Sequence, residues 1–276
     1  MNEFLQALSQ HAFLQHALAA GLLASVGCGV VGTYVVVKRI AFLAGGIAHA
    51  VLGGMGVAYY LGADPLWGAL AAALVTAFLV GWVSLRWRQH EDTLVGALWA
   101  VGMAVGVLFL SRAPGYGPDL MSYLFGNILM VTREDLYLMA AIDGGILLVV
   151  GVLYKPFLAV CFDDEHALLR GVRVELVYLL LLALVAVTVV LLIRVVGLIL
   201  VIALLTLPAA IAAQYVGSIG RMMLLATALG ATFTSGGLAL SYGADLPSGS
   251  VIIVLAGLAY LASTLGREAV RRRVLR

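Results

Sequence analysis

Charge is what this chain has least of. Only 11% of its 276 residues are Asp, Glu, Lys or Arg, while 63% are hydrophobic; a water-soluble domain carries about 25% charged residues. The apolar residues run in long blocks rather than alternating with polar faces. Leu176–Ile193 holds no charge, and about eighteen such residues reach across a ~30 Å hydrocarbon core. Cysteine is nearly absent too: Cys28 lies in an apolar block and Cys161 beside a charged loop, which argues against a disulfide framework. Lysine occurs only at Lys38 (GTYVVVKR) and Lys155 (GVLYKPF), and neither fits G-x-x-x-x-G-K-[ST]. Any ATP that drives this chain must therefore be hydrolysed by another polypeptide. HExxH, GxSxG and a pair of intramembrane aspartates are all missing, which argues against a membrane hydrolase. Met1–Gln15 has no Lys or Arg, so the basic start of a cleavable signal peptide is not seen. A net charge of +2 is too small to point to nucleic acid.

What remains is an all-α, polytopic transmembrane helical bundle, with residues 1–276 forming a single transmembrane domain. Hydropathy with Gly, Pro and charge punctuation predicts nine spans, at 16–37, 40–61, 66–85, 93–110, 136–153, 176–193, 195–216, 222–242 and 250–266. Eight remain an alternative, because only Arg194 separates the sixth from the seventh. With the amino terminus outside, 13 of the 16 Lys and Arg fall on the cytoplasmic side, and Arg112, Arg133 and Arg194 fall outside. The bias of basic residues toward cytoplasmic loops then predicts amino terminus out and carboxyl terminus in. Two loops exceed a turn. Ser111–Asp135 is external, and its apolar Met121–Met130 segment is expected to fold back on the bundle. The cytoplasmic loop Lys155–Glu175 contains Asp163–Arg170, acidic at its start and basic at its end as a helix dipole favours; a short helix and a plain solvated loop both fit.

One histidine stands inside AGGIAHAVLGGMG (44–56) with no charged residue near it. On a helix, His49 shares its face with Gly45, Gly46, Leu52, Gly53 and Gly56. A second stripe of Gly46, Ala50, Gly54 and Ala58 has the small-xxx-small spacing of close helix contacts. Two readings stand. The glycines serve tight packing and His49 hydrogen-bonds across the interface, or they leave space and expose carbonyls while the imidazole marks a path for an ion or proton. Asp143, beside Gly144 and Gly145 in the fifth span, fits a counter-charge, a packing role or a transport role. Asp92 opens a helix, where a carboxylate is at home. Pro208, in Thr206-Leu-Pro208, interrupts the seventh span and frees a backbone carbonyl. Asp245-Leu-Pro-Ser-Gly249 is an external turn whose carboxylate could attract cations. With Asp143 as the one clear intramembrane carboxylate, the balance leans toward an ATP-driven partner over a gradient-driven carrier acting alone.

Six ordered segments carry a resemblance: KRIAFLAGGIAHAVLGGMGVAYYLG (38–62), EDTLVGALWAVGM (91–103), DLMSYLFGNILMVTREDL (119–136), DDEHALLRGV (163–172), VVGLILVIALLTLPAAIA (195–212) and ADLPSG (244–249). Over roughly residues 15 to 265 the chain resembles the integral-membrane permease of zinc and manganese ABC importers. The resemblance implies a homodimeric permease in a bacterial or archaeal plasma membrane. It implies two copies of a cytoplasmic ATPase and an extracytoplasmic binding protein that delivers the ion. It makes 163–174 the coupling helix, with Asp163, Asp164, Glu165, Leu168, Arg170 and Gly171 at the ATPase. It places His49 on the metal path, while gating or packing is the expectation for Gly45, Gly46, Gly53 and Pro208 from their own residue types and spacing. Two positions depart from the pattern: Gly45 stands where many relatives carry Asp, and Ala100 where some zinc relatives carry a second histidine. The remaining ligands are then backbone carbonyls and water, or side chains such as Asn127 and Asp245. No cofactor is expected to be tightly bound. Imidazole favours zinc as the cargo, with manganese or iron as alternatives.

Overall fold

The computed structural model describes residues 2–86, 91–113, 126, 128–244 and 246–274. Among these, all regular structure is helical. In chain order the helices are α1 (Asn2–Gln10), α2 (Ala12–Val37), α3 (Ala41–Tyr60), α4 (Pro65–Arg86), α5 (Glu91–Arg112), α6 (Arg133–Val152), α7 (Tyr154–Phe162), α8 (Asp164–Leu169), α9 (Val174–Val196), α10 (Leu198–Tyr215), α11 (Ile219–Ala244) and α12 (Ser248–Val274), with one 3₁₀ turn at Ile128–Met130. Among the described residues nine helices, α2–α6 and α9–α12, are long and apolar enough to cross a membrane.

α2, α3 and α9 form the centre, buried along most of their length, whereas α5 and α12 are largely exposed. Lipid tails are as apolar as leucine, so helices associate in a bilayer by close contact of small residues and by hydrogen bonds. α2 meets α11 along Gly21, Ser25 and Gly29, which face Thr234, Gly230 and Thr227. A Cβ at Gly29 would lie 2.8 Å from the Thr227 Cα, so the two backbones touch. Buried hydroxyls turn back onto their own helices: Ser25 donates to the Gly21 carbonyl at 2.7 Å, Thr33 to Gly29 at 2.7 Å, and Thr188 to Leu184 at 2.8 Å. Each donor is thereby satisfied without water.

Helix ends are specified locally. α6 opens on a capping box, in which the Thr132 hydroxyl accepts from the Asp135 N–H at 3.2 Å and the Asp135 carboxylate accepts from the Thr132 N–H at 3.1 Å. α3 and α8 stop on glycines in the left-handed region, Gly62 at φ +72° and Gly171 at φ +77°. In each case the glycine N–H and that of the next residue fold back in a Schellman turn. α2 ends in the same turn, but the left-handed residue is Arg39 at φ +61°.

The structure departs from the sequence reading in four places. The break between the sixth and seventh spans falls at Gly197 rather than Arg194: α9 continues to Val196, and Gly197 adopts φ +80°, ψ +161°, a region open essentially to glycine. Segment 155–162, expected as loop, forms most of α7 because Phe157 and Val160 are buried against the bundle. The last helix continues past 266 to Val274, supported by an Arg272–Glu268 pair at 2.9 Å, one turn apart. α1 is a short additional helix before the first span. Of the Met121–Met130 segment, Gly126 and Ile128–Met130 are described, and Ile128 sits in the core. Cys28 and Cys161 are both buried free thiols. Burial pushes the Cys161 thiol up to about 11.

Candidate metal path and coupling segment

The glycines around His49 divide into two groups. A Cβ at Gly53 would come within 2.8 Å of the Gly102 carbonyl, and one at Gly56 within 2.6 Å of the Gly106 carbonyl. From the other side, Gly102 lies against the Ala50 Cα and Gly106 against the Leu52 carbonyl, each at 2.6 Å from an added Cβ. α3 and α5 therefore meet backbone to backbone along this face, with Gly46 pressed on Val95. The second stripe turns to α4, where Gly54 faces the Gly68 carbonyl and Ala58 faces Gly68. Gly45 differs from all of these: a Cβ there meets nothing within 4 Å.

His49 sits beside that opening. It is half-buried, and its ring stacks on Trp99 of α5 with centroids 4.0 Å apart and planes 10° apart. Its Nδ1 is buried with no hydrogen-bond partner in the protein. One face of the imidazole is thus occupied by indole, and one ring nitrogen is left for a ligand, a water or a proton. Trp99 is the contact that sequence reasoning missed. It lies in the EDTLVGALWAVGM segment, one residue before the Ala100 that drew attention, and Ala100 itself is exposed.

Asn127 and Asp245 lie outside the described residues. Among the described residues no group of three or more His, Cys, Asp or Glu side chains could hold a metal ion. Asp143 is 4% exposed in α6. Its Oδ1 covers Gly27 of α2, where an added Cβ would lie 2.6 Å away, and neither carboxylate oxygen has a hydrogen-bond partner. Pro208 is buried inside α10. It donates no N–H to the turn before it, and there the Leu205 carbonyl lies against Gly32 of α2.

At the other candidate region, Asp163 caps α8 by accepting from the His166 N–H at 2.9 Å. Ala167 is fully buried, while Leu168 (66%) and Leu169 (85%) are exposed, as is Phe162 at the end of α7. Glu165 and Arg170 flank them in the open. An apolar tip rimmed by charge is the form of a surface that meets another protein. Asp164 does not belong to that tip: its carboxylate turns inward to the Lys38 ammonium, at 2.8 and 3.0 Å. Gly171 serves the left-handed turn that closes α8.

The chain is 41% identical over 250 residues to a "probable metal transport system membrane protein" of Chlamydia pneumoniae, covering 88% of this chain and 85% of that one. It is 33% identical over 253 residues to the manganese transport system membrane protein MntC of Halalkalibacterium halodurans, covering 92% and 87%. It is 32% identical over 263 residues to the manganese import system permease protein ScaB of Streptococcus parasanguinis, covering 95% and 94%. Among solved structures, PsaBC from Streptococcus pneumoniae in complex with Fab matches with a TM-score of 0.86 at 30% identity, over 95% of this chain and 94% of that chain. The model of the ABC 3 transport family matches residues 10–267, and with nearly its whole length matched the chain belongs to that family.

Proposed function

We propose that this protein is the membrane permease of an ATP-driven importer that moves a divalent transition metal, manganese in the first place, into the cytoplasm by alternating access. The reading rests most on one observation. In a member of an ABC transport family, a half-buried histidine within a span keeps Nδ1 unpartnered beside an opening at Gly45. Ionisable groups inside spans are costly and line functional cavities. Imidazole favours zinc, but the relatives whose names specify an ion specify manganese. A single imidazole among glycines and carbonyls also suits a harder cation that keeps oxygen ligands. Asn127 and Asp245 would supply further oxygens, and loose ligation suits cargo that must be released.

The whole chain acts as one permease domain with its amino terminus outside and carboxyl terminus in the cytoplasm, as the basic residues favour. A second copy would cover the exposed apolar face of α5, with Val101 and Leu108, next to His49. Two copies of a separate ATPase would dock on the α7–α8 tip, and an extracytoplasmic protein would deliver the ion. Gly46 and Gly53 hold α3 against α5, and Pro208 gives α10 a weak point at which to rearrange.

The test is uptake of labelled manganese and zinc by the permease–ATPase complex in proteoliposomes. His49→Ala is expected to lower uptake at least about tenfold, since losing even a partner that only orients a metal ligand costs about 10–100-fold, while the ATPase still co-purifies. Wild-type uptake in that variant would return His49 to a packing role. Faster zinc than manganese uptake would reverse the cargo order.

A further inference from the structure

Lys38 is the last residue before the α2–α3 turn, and its side chain leaves that turn altogether. The ammonium donates to the Val160 carbonyl at 2.6 Å and to both Asp164 oxygens at 2.8 and 3.0 Å. Val160 lies in the last turn of α7, whose carbonyls have no intrahelical partner, and Asp164 is the first residue of α8. One point charge thus holds both sides of the α7–α8 joint at Asp163. The site suits lysine in particular: three donors at one nitrogen meet three acceptors, which a planar guanidinium cannot do from one point. This chain, with 16 Lys and Arg in total, uses lysine at only two positions, Lys38 and Lys155. The pair is partly withdrawn from water, with side-chain exposures of 18% and 33%, so solvent screens it less than a surface pair. The Tyr178 ring of α9 lies 5.9 Å from the ammonium, and the Tyr178 hydroxyl is 3.3 Å from Ser84 of α4.

The turn on the other side of Lys38 has little slack. Its N–H bonds to the Tyr34 carbonyl at 2.9 Å, Arg39 to Val36 at 3.2 Å, and Ile40 to Val35 at 2.9 Å. The Ala44 N–H then bonds to the Ile40 carbonyl at 3.0 Å, joining the turn to α3. His49 follows eight residues after Ala41, about 12 Å along the same helix. α8 itself packs chiefly on α7 and α9, so Lys38 is a direct hydrogen-bonded route from α8 to the helix that carries His49.

We propose that Lys38 is a positioning residue for transport, a latch that makes the start of α3 follow the α7–α8 joint. The inference rests on the reading of α8 as the segment on which the ATPase docks. Displacement of α8 by the ATPase pulls on Asp164, the ammonium carries the pull to the α2–α3 turn, and α3 shifts against α5 where His49 meets Trp99. Cutting the latch should leave nucleotide hydrolysis running while transport stalls.

The experiment measures ATP hydrolysis and manganese uptake in the same proteoliposomes containing the permease–ATPase complex. Lys38→Met and Asp164→Asn should each assemble with the ATPase and hydrolyse ATP within about twofold of wild type, while uptake per ATP falls at least about fivefold, and the double variant should be no worse than either single one, as expected for two groups acting as one unit. Asp164→Asn reads the same contact if loss of the cation harms folding. Wild-type uptake per ATP in either single variant, or losses that multiply in the double variant, would overturn the latch. Loss of assembly or of melting temperature in step with uptake would overturn it in favour of a purely structural pair. A wild-type complex without ATP-driven uptake would overturn the functional reading first, and the latch with it.

Discussion

At the scale of single residues, the sequence located the histidine but could not divide the labour of its neighbours. Helical spacing places Gly45, Gly46, Gly53 and Gly56 on one face with His49; it does not say which of them another helix presses on. The structure separates Gly53, against the Gly102 carbonyl, from Gly45, which opens on space. Trp99 was illegible for a related reason, since it comes from a helix fifty residues away and no local period points to it. The division has opposite consequences for stability. Gly45→Ala should be neutral or stabilise by about 0.5–1 kcal/mol, because alanine loses less backbone entropy in a helix. Gly53→Ala should destabilise by about 1–3 kcal/mol by forcing α3 off α5. Thermal unfolding of the detergent-purified variants compares the two directly, and equal shifts would refute the division.

At the scale of elements, hydropathy found every span because a bilayer of fixed thickness demands about twenty apolar residues per helix. It misplaced the α9–α10 break because a charge was read as the interruption, whereas the chain turns where glycine reaches φ +80°. The short α7 went unread because its apolar residues are too few to signal a helix until Phe157 and Val160 find a core to enter. The Asp163–Arg170 helix was half legible: its cap and end charges are local, but they left a solvated loop equally open, and the structure forms the helix over Asp164–Leu169. Gly197→Ala should cost about 1–3 kcal/mol, the range for a residue forced into a sparsely populated backbone region. A shift in melting temperature no larger than that of an exposed alanine substitution elsewhere would show that this break carries no strain.

At the scale of the whole molecule, the order and number of spans were readable, but the pairing of helices was not. The partners α3–α5 and α2–α11 are chosen by complementary small residues on distant segments, and only the fold brings these together. The proposed orientation rests on the basic residues alone and has a direct check. Both native cysteines are buried, and the Cys161 thiol is pushed up to about 11, so little reactive thiolate exists near neutral pH. The wild-type protein should therefore resist maleimide. A cysteine introduced at the exposed Leu169 position should react in inside-out vesicles and not in intact cells. The reverse pattern would invert the topology.

The account stands most directly on whether this bundle is driven by a separate ATPase. The deciding measurement is manganese accumulation in matched proteoliposomes, one set holding the permease with its ATPase and enclosed ATP, the other holding the permease alone under an imposed proton gradient. The account predicts accumulation in the first set only, abolished when ATP is omitted. Accumulation by the permease alone would contradict it.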